Sequence, residues 1–258
     1  MTAVLSHSWY MLLRQLRNLL RERIWIALLL IQPLVWLLLY SQLFQRVTDL
    51  GGFGTESYLD FFLPGVVVMN AFFAGTWSGL AMVADLDRGV VERFLATPAR
   101  RASLVFSQVM RAAVQAGIQG VIILVVGFAI GARVAAGAVG WVVILLAGML
   151  AAGGFAGISH GLALLTRKEA TMIALANFIG LPLMFLSAIL IARPLMPEWM
   201  QLVARFNPVD WAVRAARESA LPGTDWAVVG AHLGLLAAFV LATTAFATLS
   251  FRAYQRTL

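Results

Sequence analysis

The sequence predicts an all-α, polytopic membrane protein with six transmembrane helices in a single domain, residues 1–258. Of these residues 61% are hydrophobic and 12% are charged, whereas about a quarter of the residues in a soluble domain carry a charge. Six segments are apolar over roughly the 20 residues that a spanning helix needs: about 24–44, 61–84, 107–131, 138–165, 171–192 and 226–250. An open sheet cannot satisfy its backbone in lipid, so we expect helices.

Composition excludes several kinds of chemistry. The chain has no Cys, and its three His, at positions 7, 160 and 232, are widely separated. We therefore expect no metal site and no cofactor on this chain. The net charge is +7, but the Arg residues are dispersed between apolar segments, which argues against a nucleic-acid surface.

The distribution of basic residues predicts the orientation. An even number of spans places both termini on one side of the membrane. That side, with the loops that share it, holds thirteen of the nineteen Lys and Arg residues, namely Arg14, Arg17, Arg21, Arg23, Arg88, Arg93, Arg100, Arg101, Arg111, Arg167, Lys168, Arg252 and Arg256. The positive-inside rule makes this side cytoplasmic, and we expect a plasma (inner) membrane protein with both termini in the cytoplasm.

Two segments outside the spans have helical patterns. Residues 1–23 place Trp and Leu on one face and Arg on the other, which is typical of an amphipathic interfacial helix; a frayed extension is the alternative. Residues 193–225 contain Pro197 at a helix start, and Asn207 followed by Pro208 as an N-cap and first-turn pair. This connector predicts an outer, re-entrant helical pair. It either gates a substrate or only shapes the loop.

Small and polar residues occur at membrane depth. Gly153, Gly157 and Gly161 share one helix face, which favours close helix packing. Four amides, at Asn70, Gln115, Gln119 and Asn177, either join helices or line a substrate path. His160 is expected to be a hydrogen-bonded packing residue. No Asp, Glu or Lys stands in the middle of a predicted span, and this argues against a secondary carrier.

The segment DLDRGVVERFLATPARR, residues 85–101, is densely charged between two apolar stretches. Placing its seven charges in the bilayer would cost on the order of 20 kcal/mol, so it belongs in the cytoplasm. Asp85 and Asp87 suit a helix N-terminus, an apolar stripe follows, and Pro98 ends the helix. From the residues alone, this short helix is either a topological anchor or a docking element.

A resemblance favours docking. The stretch DRGVVERFLATPARRASLVFSQV and the block GLPLMFLSAILIARPLMPEWMQLVARFNPVDWAVRAAR are similar to type-2 ABC exporter permeases, above all the permease subunits of daunorubicin-type drug exporters, with nodulation-factor exporter permeases as relatives. The resemblance implies a homo- or heterodimer, each copy docked on a cytoplasmic ABC ATPase. It implies a coupling helix containing Asp87, Arg88, Gly89, Val91, Glu92, Arg93, Phe94, Leu95, Pro98 and Arg101, and an outer gate containing Pro182, Ser187, Pro197, Trp199, Asn207 and Pro208.

The expected function is that of a permease subunit in an ATP-driven exporter of a hydrophobic or amphipathic small molecule. The 258 residues contain no GxxxxGK[ST] motif, so we expect ATP and Mg to be bound by the partner ATPase. An exporter of a lipid-linked glycan or wall polymer is one alternative, and a secondary carrier is another. A membrane enzyme is disfavoured because neither paired carboxylates nor a nucleophile with its base stands at membrane depth in the sequence.

Overall fold

The computed structural model describes residues 23–89 and 101–255, and within these ranges it is helical and contains no β-strand. The all-α class is thus confirmed for the described residues. In chain order the helices are α1 (Arg23–Leu43), α2 (Tyr58–Trp77), α3 (Gly79–Asp87), α4 (Arg101–Ala129), α5 (Gly137–Thr166), α6 (Glu169–Phe185), α7 (Glu198–Ala204), α8 (Pro208–Ala220) and α9 (Trp226–Gln255), with 3-10 turns at Gln45–Leu50 and Arg193–Leu195.

Four stretches in the described ranges are long and apolar enough to cross a bilayer: Tyr58–Asp87, which combines α2 and α3, then Val105–Ala129, Gly137–Thr166 and Trp226–Gln255. Two further apolar stretches, Leu30–Leu43 and Glu169–Phe185, are shorter. The count of six spans therefore stays a prediction. The interfacial helix expected near the N-terminus and the coupling residues from Val91 to Pro98 lie outside the described residues.

Helix α5 is the centre of the bundle, and it packs against α2, α4, α8 and α9. Its small residues allow this, as the Gly spacing predicts. A Cβ on Gly157 would lie 2.8 Å from the backbone carbonyl carbon of Thr243 on α9, and one on Gly161 would collide with the ring of Phe246. The interpretation of these glycines as packing residues is confirmed.

The structure interrupts two of the predicted spans. The span predicted at 61–84 is divided at Ser78 into α2 and α3, and the span predicted at 171–192 stops being helical at Phe185. Both interruptions occur where side chains from other helices bind the backbone groups that a continuous helix would have paired. Hydropathy does not reveal such partners, so the sequence predicts uninterrupted spans.

The connector after α6 contains two short helices, α7 and α8, as expected. Asn207 is the N-cap of α8, because its Oδ1 accepts the backbone N–H of Val209 at 2.9 Å, and Pro208 occupies the first helical position. Pro197 stands at the N-cap of α7, one residue before its predicted place in the first turn. The position of this pair at an outer membrane surface stays a prediction.

Substituting Gly157 tests the close approach of α5 and α9. We expect Gly157→Ala to lower the unfolding temperature in detergent, because the added methyl group overpacks a site walled by backbone and costs about 1–3 kcal/mol. Gly234→Ala on α9 is the matched control, since a Cβ there meets nothing within 4 Å. It should be neutral or stabilising, because Ala is the better helix former. Equal unfolding temperatures for the two variants would contradict the packing described here.

Candidate functional site

The unwound segment after α6, residues 186–192, exposes backbone carbonyls that no helix pairs. Helix α6 ends at Phe185. The Nδ2 group of Asn207 donates to the carbonyls of Leu183 at 2.7 Å and Leu186 at 3.1 Å. Leu183 belongs to the last turn of α6 and Leu186 is its C-cap, a place where carbonyls are ordinarily left without an intrahelical partner. One buried amide therefore caps two helices, α6 through its nitrogen and α8 through its oxygen.

Arg217, ten residues after Asn207 on α8, binds the next carbonyls of the unwound segment. Its Nη1 donates to the carbonyl of Ala188 at 2.6 Å, its Nη2 to that of Ile189 at 3.1 Å, and its Nε to that of Phe61 on α2 at 3.2 Å. Its guanidinium carbon also lies 3.6 Å from the centroid of the Phe61 ring. The planar fork of Arg suits several acceptors at once. Arg217 therefore joins α8, α2 and the unwound segment.

Asp210 completes this arrangement on the same face of α8. Its side chain is fully buried. Its Oδ1 accepts the backbone N–H of Ala188 at 2.9 Å, and its Oδ2 lies 3.8 Å from Nη1 of Arg193. Tyr58, at the start of α2, donates its hydroxyl to the carbonyl of Leu190 at 2.8 Å. We call Asn207, Asp210 and Arg217 the outer clasp, after the outer side on which the sequence predicts this connector to lie.

Burial sets the charge balance of the outer clasp. It raises the pKa of Asp210 above its usual range, although the Ala188 N–H and the nearby Arg193 act in the opposite direction. It lowers the pKa of Arg217 to about 9, with Asp210 opposing that shift. Arg217 consequently remains protonated at neutral pH and keeps all of its donors for the carbonyls it binds.

The predicted gate residues are distributed unevenly around the outer clasp. Asn207 belongs to it, and Pro208 begins its helix. Ser187 is buried in the unwound segment and donates its hydroxyl to the carbonyl of Met184 at 2.6 Å. Pro182, Pro197 and Trp199 are exposed. Pro182 lies inside α6, and Pro197 and Trp199 lie at the start of α7.

Sequence reasoning missed Asp210, and it treated Arg217 only as a charge on the outer side. The spacing of these residues in the sequence does contain a signal. Asn207, Asp210 and Arg217 are three and seven residues apart, a spacing that places them on one helix face. A helix that begins with Asn-Pro and presents an amide, a carboxylate and a guanidinium on one face carries more polar groups than an interfacial position requires.

The four predicted path amides do not converge. Asn70 on α2 donates to Oε1 of Gln119 on α4 at 3.0 Å, which joins these two helices. Gln115 is half-buried on α4, and Asn177 is exposed on α6, where it donates to the carbonyl of Ile173 in its own helix. His160 is fully buried, and neither ring nitrogen has a hydrogen-bond partner in the described part of the chain, contrary to the expectation of a hydrogen bond.

An apolar groove lies between α2, α5 and α6. It encloses about 460 Å³, including space that is open to the outside. Its lining is aromatic and aliphatic except for the hydroxyls of Thr76 and Ser159, and none of the four amides contributes to it. The lining residues are Phe72, Thr76, Phe155, Ile158, Ser159, Leu162, Met172, Leu175, Ala176, Ile179, Gly180 and Leu183. Such a surface fits an apolar molecule.

The coupling residues that the structure describes lie at the end of α3. Asp87 is its last residue, and the backbone N–H of Gly89 donates to the carbonyl of Leu86 at 3.0 Å. Gly89 has φ +64°, a left-handed conformation that suits Gly after a helix. Asp85 and Asp87 therefore lie in the last turn of α3 instead of beginning the next helix, which corrects the sequence interpretation. Arg101 is the first residue of α4.

In the described part of the chain, acidic residues and His form no group of three or more that could hold a metal ion. The candidate site is thus a polar clasp at one place and an apolar groove at another, together with the end of α3.

Comparison with known proteins identifies the family. The sequence profile described as ABC-2 type transporter matches residues 7–221. The chain belongs to the ABC-2 type transporter family. Its membership and its apolar helices make it a multi-pass membrane protein, and the resemblance stated from the sequence motifs is confirmed.

Named relatives agree with this ABC-2 assignment. The chain is 27% identical to the daunorubicin resistance ABC transporter permease protein DrrB1 of Streptomyces coeruleorubidus over 260 residues, which covers 98% of this chain and 86% of the relative. It is 31% identical over 193 residues to the transport permease ycf38 of Cyanophora paradoxa, covering 73% of this chain and 65% of that relative, slightly less than two thirds of its length. The ycf38 protein of Porphyra purpurea is 29% identical over 199 residues, 76% of this chain and 67% of the relative.

Replacing Arg217 tests the outer clasp. We expect Arg217→Met to lower the unfolding temperature in detergent and to expose residues 186–192 to proteolysis, because three buried carbonyls lose their donor at a cost on the order of 3 kcal/mol. Arg205→Met is the matched control, since Arg205 is exposed on the same connector. If Arg217→Met behaves like Arg205→Met in both assays, the clasp does not hold the unwound segment.

Proposed function

We propose that this chain is the permease subunit of an ATP-driven exporter that moves a hydrophobic or amphipathic small molecule out of the cell. The apolar groove between α2, α5 and α6, in a chain of the ABC-2 family, carries the proposal. The drug-resistance name of one relative supports export and a drug-like cargo. The scarcity of hydrogen-bonding groups in the groove disfavours a glycan, whose hydroxyls need partners when buried.

ATP hydrolysis belongs, in this proposal, to a separate cytoplasmic subunit. Permeases of this family generally work with such an ATPase, and the 258 residues contain no phosphate-binding loop. The permease is a dimer, of two copies of this chain or of this chain and a related one, with its termini in the cytoplasm. Residues 87–101, which begin at the exposed end of α3, dock on the ATPase.

The six-span arrangement belongs to the same proposal. Helix α1 has 21 residues, enough to cross the hydrocarbon core at about 1.5 Å per residue. Helix α6 has 17 residues, and the unwound segment beyond it completes the crossing. Irregular backbone is tolerated at membrane depth where the protein satisfies its polar groups, and the outer clasp does this for Leu186, Ala188 and Ile189.

Charge reversal in the docking segment tests the ATPase partnership. In a complex co-purified with its ATPase, we expect Glu92→Arg with Arg93→Glu to lower daunorubicin-stimulated ATP hydrolysis by at least about tenfold, because reversed charges at an interface cost several kcal/mol. The matched control reverses an exposed pair of the outer connector, Glu198→Arg with Arg205→Glu, and should retain stimulation. Unchanged stimulation in the first variant would count against docking at this segment.

Filling the groove tests the cargo site. Ala176 on α6 lines the groove, whereas Ala174 on the same helix is exposed. In inverted membrane vesicles, we expect Ala176→Trp to abolish ATP-dependent daunorubicin uptake because the indole occupies the groove. Ala174→Trp, which adds the same side chain outside it, should transport normally. Equal transport by both variants would place the cargo elsewhere.

A further inference from the structure

The second span contains a break that hydropathy does not predict. Helix α2 ends at Trp77 and α3 begins at Gly79. At the break, the backbone N–H of Ser78 and its hydroxyl both donate to the carbonyl of Gly75, at 3.2 and 2.6 Å. In a continuous α-helix that carbonyl would accept the N–H of Gly79, four residues on. The Gly79 N–H therefore needs another acceptor.

Ser159 on α5 provides that acceptor. Its Oγ accepts the N–H of Gly79 at 3.0 Å and donates to the carbonyl of Thr76 at 2.6 Å. One hydroxyl from another helix thus bridges the two sides of the break, using its donor and one of its two acceptor positions. Gly79 makes the approach possible, because a Cβ there would collide with Ser159 Oγ. We call these two bonds the Ser159 latch.

The Ser159 latch touches the apolar groove. Thr76, Ser159 and Met172 all line the groove. Met172 on α6 also lies beside the break, since a Cβ on Gly79 would be 2.8 Å from its terminal methyl carbon. A molecule that fills this end of the groove would therefore contact the same residues that hold the break.

On its other side the break leads to the docking segment. Helix α3 has nine residues, about 13 Å at the rise of an α-helix. Its Met82 and Val83 pack with Leu164 of α5 and Met172 of α6 in one apolar cluster. Asp87 ends the helix and is exposed. Helix α3 thus connects the Ser159 latch to the chain that follows Asp87.

We propose that the break at Ser78 is a hinge, and that the Ser159 latch couples occupancy of the apolar groove to movement of α3, the helix that precedes the docking segment. Ser159 is a positioning residue, because it acts through the backbone of Gly79 and Thr76. The hinge follows from the hydrogen bonds at the break, while its use in transport rests on the proposed function.

The hinge is testable in the chain by itself. The sequence has no Cys, so Glu56→Cys and Ala84→Cys allow one spin label on each side of the break, 28 residues apart and about 42 Å if helical. In Ser159→Ala we expect the Gly79 N–H to bond to the carbonyl of Gly75, which would join α2 and α3 into one continuous helix. We expect the interlabel distance distribution to shift, with the relative populations changing about tenfold because two buried bonds are lost.

Thr243→Ala is the matched control. Thr243 is also buried against α5, but its hydroxyl donates only to carbonyls of its own helix, those of Phe239 at 2.9 Å and Val240 at 3.2 Å. The interlabel distance distribution of the Thr243→Ala variant should superimpose on that of the labelled, otherwise unsubstituted chain. The proposal is overturned if Ser159→Ala also superimposes. Faster amide hydrogen exchange across residues 76–82 in Ser159→Ala is the second expected result, and protection equal to that of Thr243→Ala would overturn the latch.

Coupling is tested in the complex with the ATPase. We expect Ser159→Ala to lose about tenfold in daunorubicin transported per ATP hydrolysed, whereas Thr243→Ala retains the value of the unsubstituted chain. A distance shift with unchanged coupling would overturn the role of the Ser159 latch in transmission. If no variant transports daunorubicin but Ser159→Ala still shifts the distances, the exporter function fails and the hinge stands. Normal transport together with unshifted distances would support the exporter function and contradict the hinge.

Discussion

Backbone hydrogen bonding in a medium without water is the constraint on which the rest of this structure depends. A buried N–H or carbonyl left unpaired costs several kcal/mol in hydrocarbon, which is why spans are ordinarily continuous helices. This chain interrupts helices at Ser78 and after Phe185, and side chains take over the pairing at both places. Ser159 does so at the first interruption, and Asn207, Asp210 and Arg217 do so at the second.

Close packing of the helices allows side chains to replace the missing backbone partners at these two interruptions. The Ser hydroxyl stands on a single carbon, so Ser159 reaches the backbone of the second span only because Gly79 has no side chain at the contact. One turn earlier, a Cβ on Gly75 would collide with the backbone of Ala152 on α5. The small residues that α5 presents to its neighbours therefore have two consequences. They bring helices together by dispersion, as is common in membranes, and they bring a polar side chain within bonding distance of another helix.

The sequence predicts those features that depend on neighbouring residues along the chain. The all-α class, four of the spans, the Gly packing face and the Asn207 cap are local patterns, and the structure agrees with them. The break at Ser78 depends on a partner 80 positions away, so no local pattern contains it. Charge counting places Arg217 on the outer side without a partner in the protein, whereas its guanidinium donates to three backbone carbonyls. Most of the coupling residues lie outside the described ranges, so that part of the site rests on the sequence.

The two interruptions lie at opposite ends of the apolar groove. Ser159 lines one end, and Leu183, whose carbonyl Asn207 caps, lines the other. A single hydrogen bond contributes only about 0.5–1.5 kcal/mol net, so exchanging a side-chain partner for a helical one changes the free energy little. Breaking a packed, continuous helix at membrane depth would cost far more. A bundle that must alternate between two shapes can therefore concentrate its rearrangement at such joints while the packed helices move as rigid bodies. If the break at Ser78 is a hinge, the groove stands between two joints at which side chains hold the backbone.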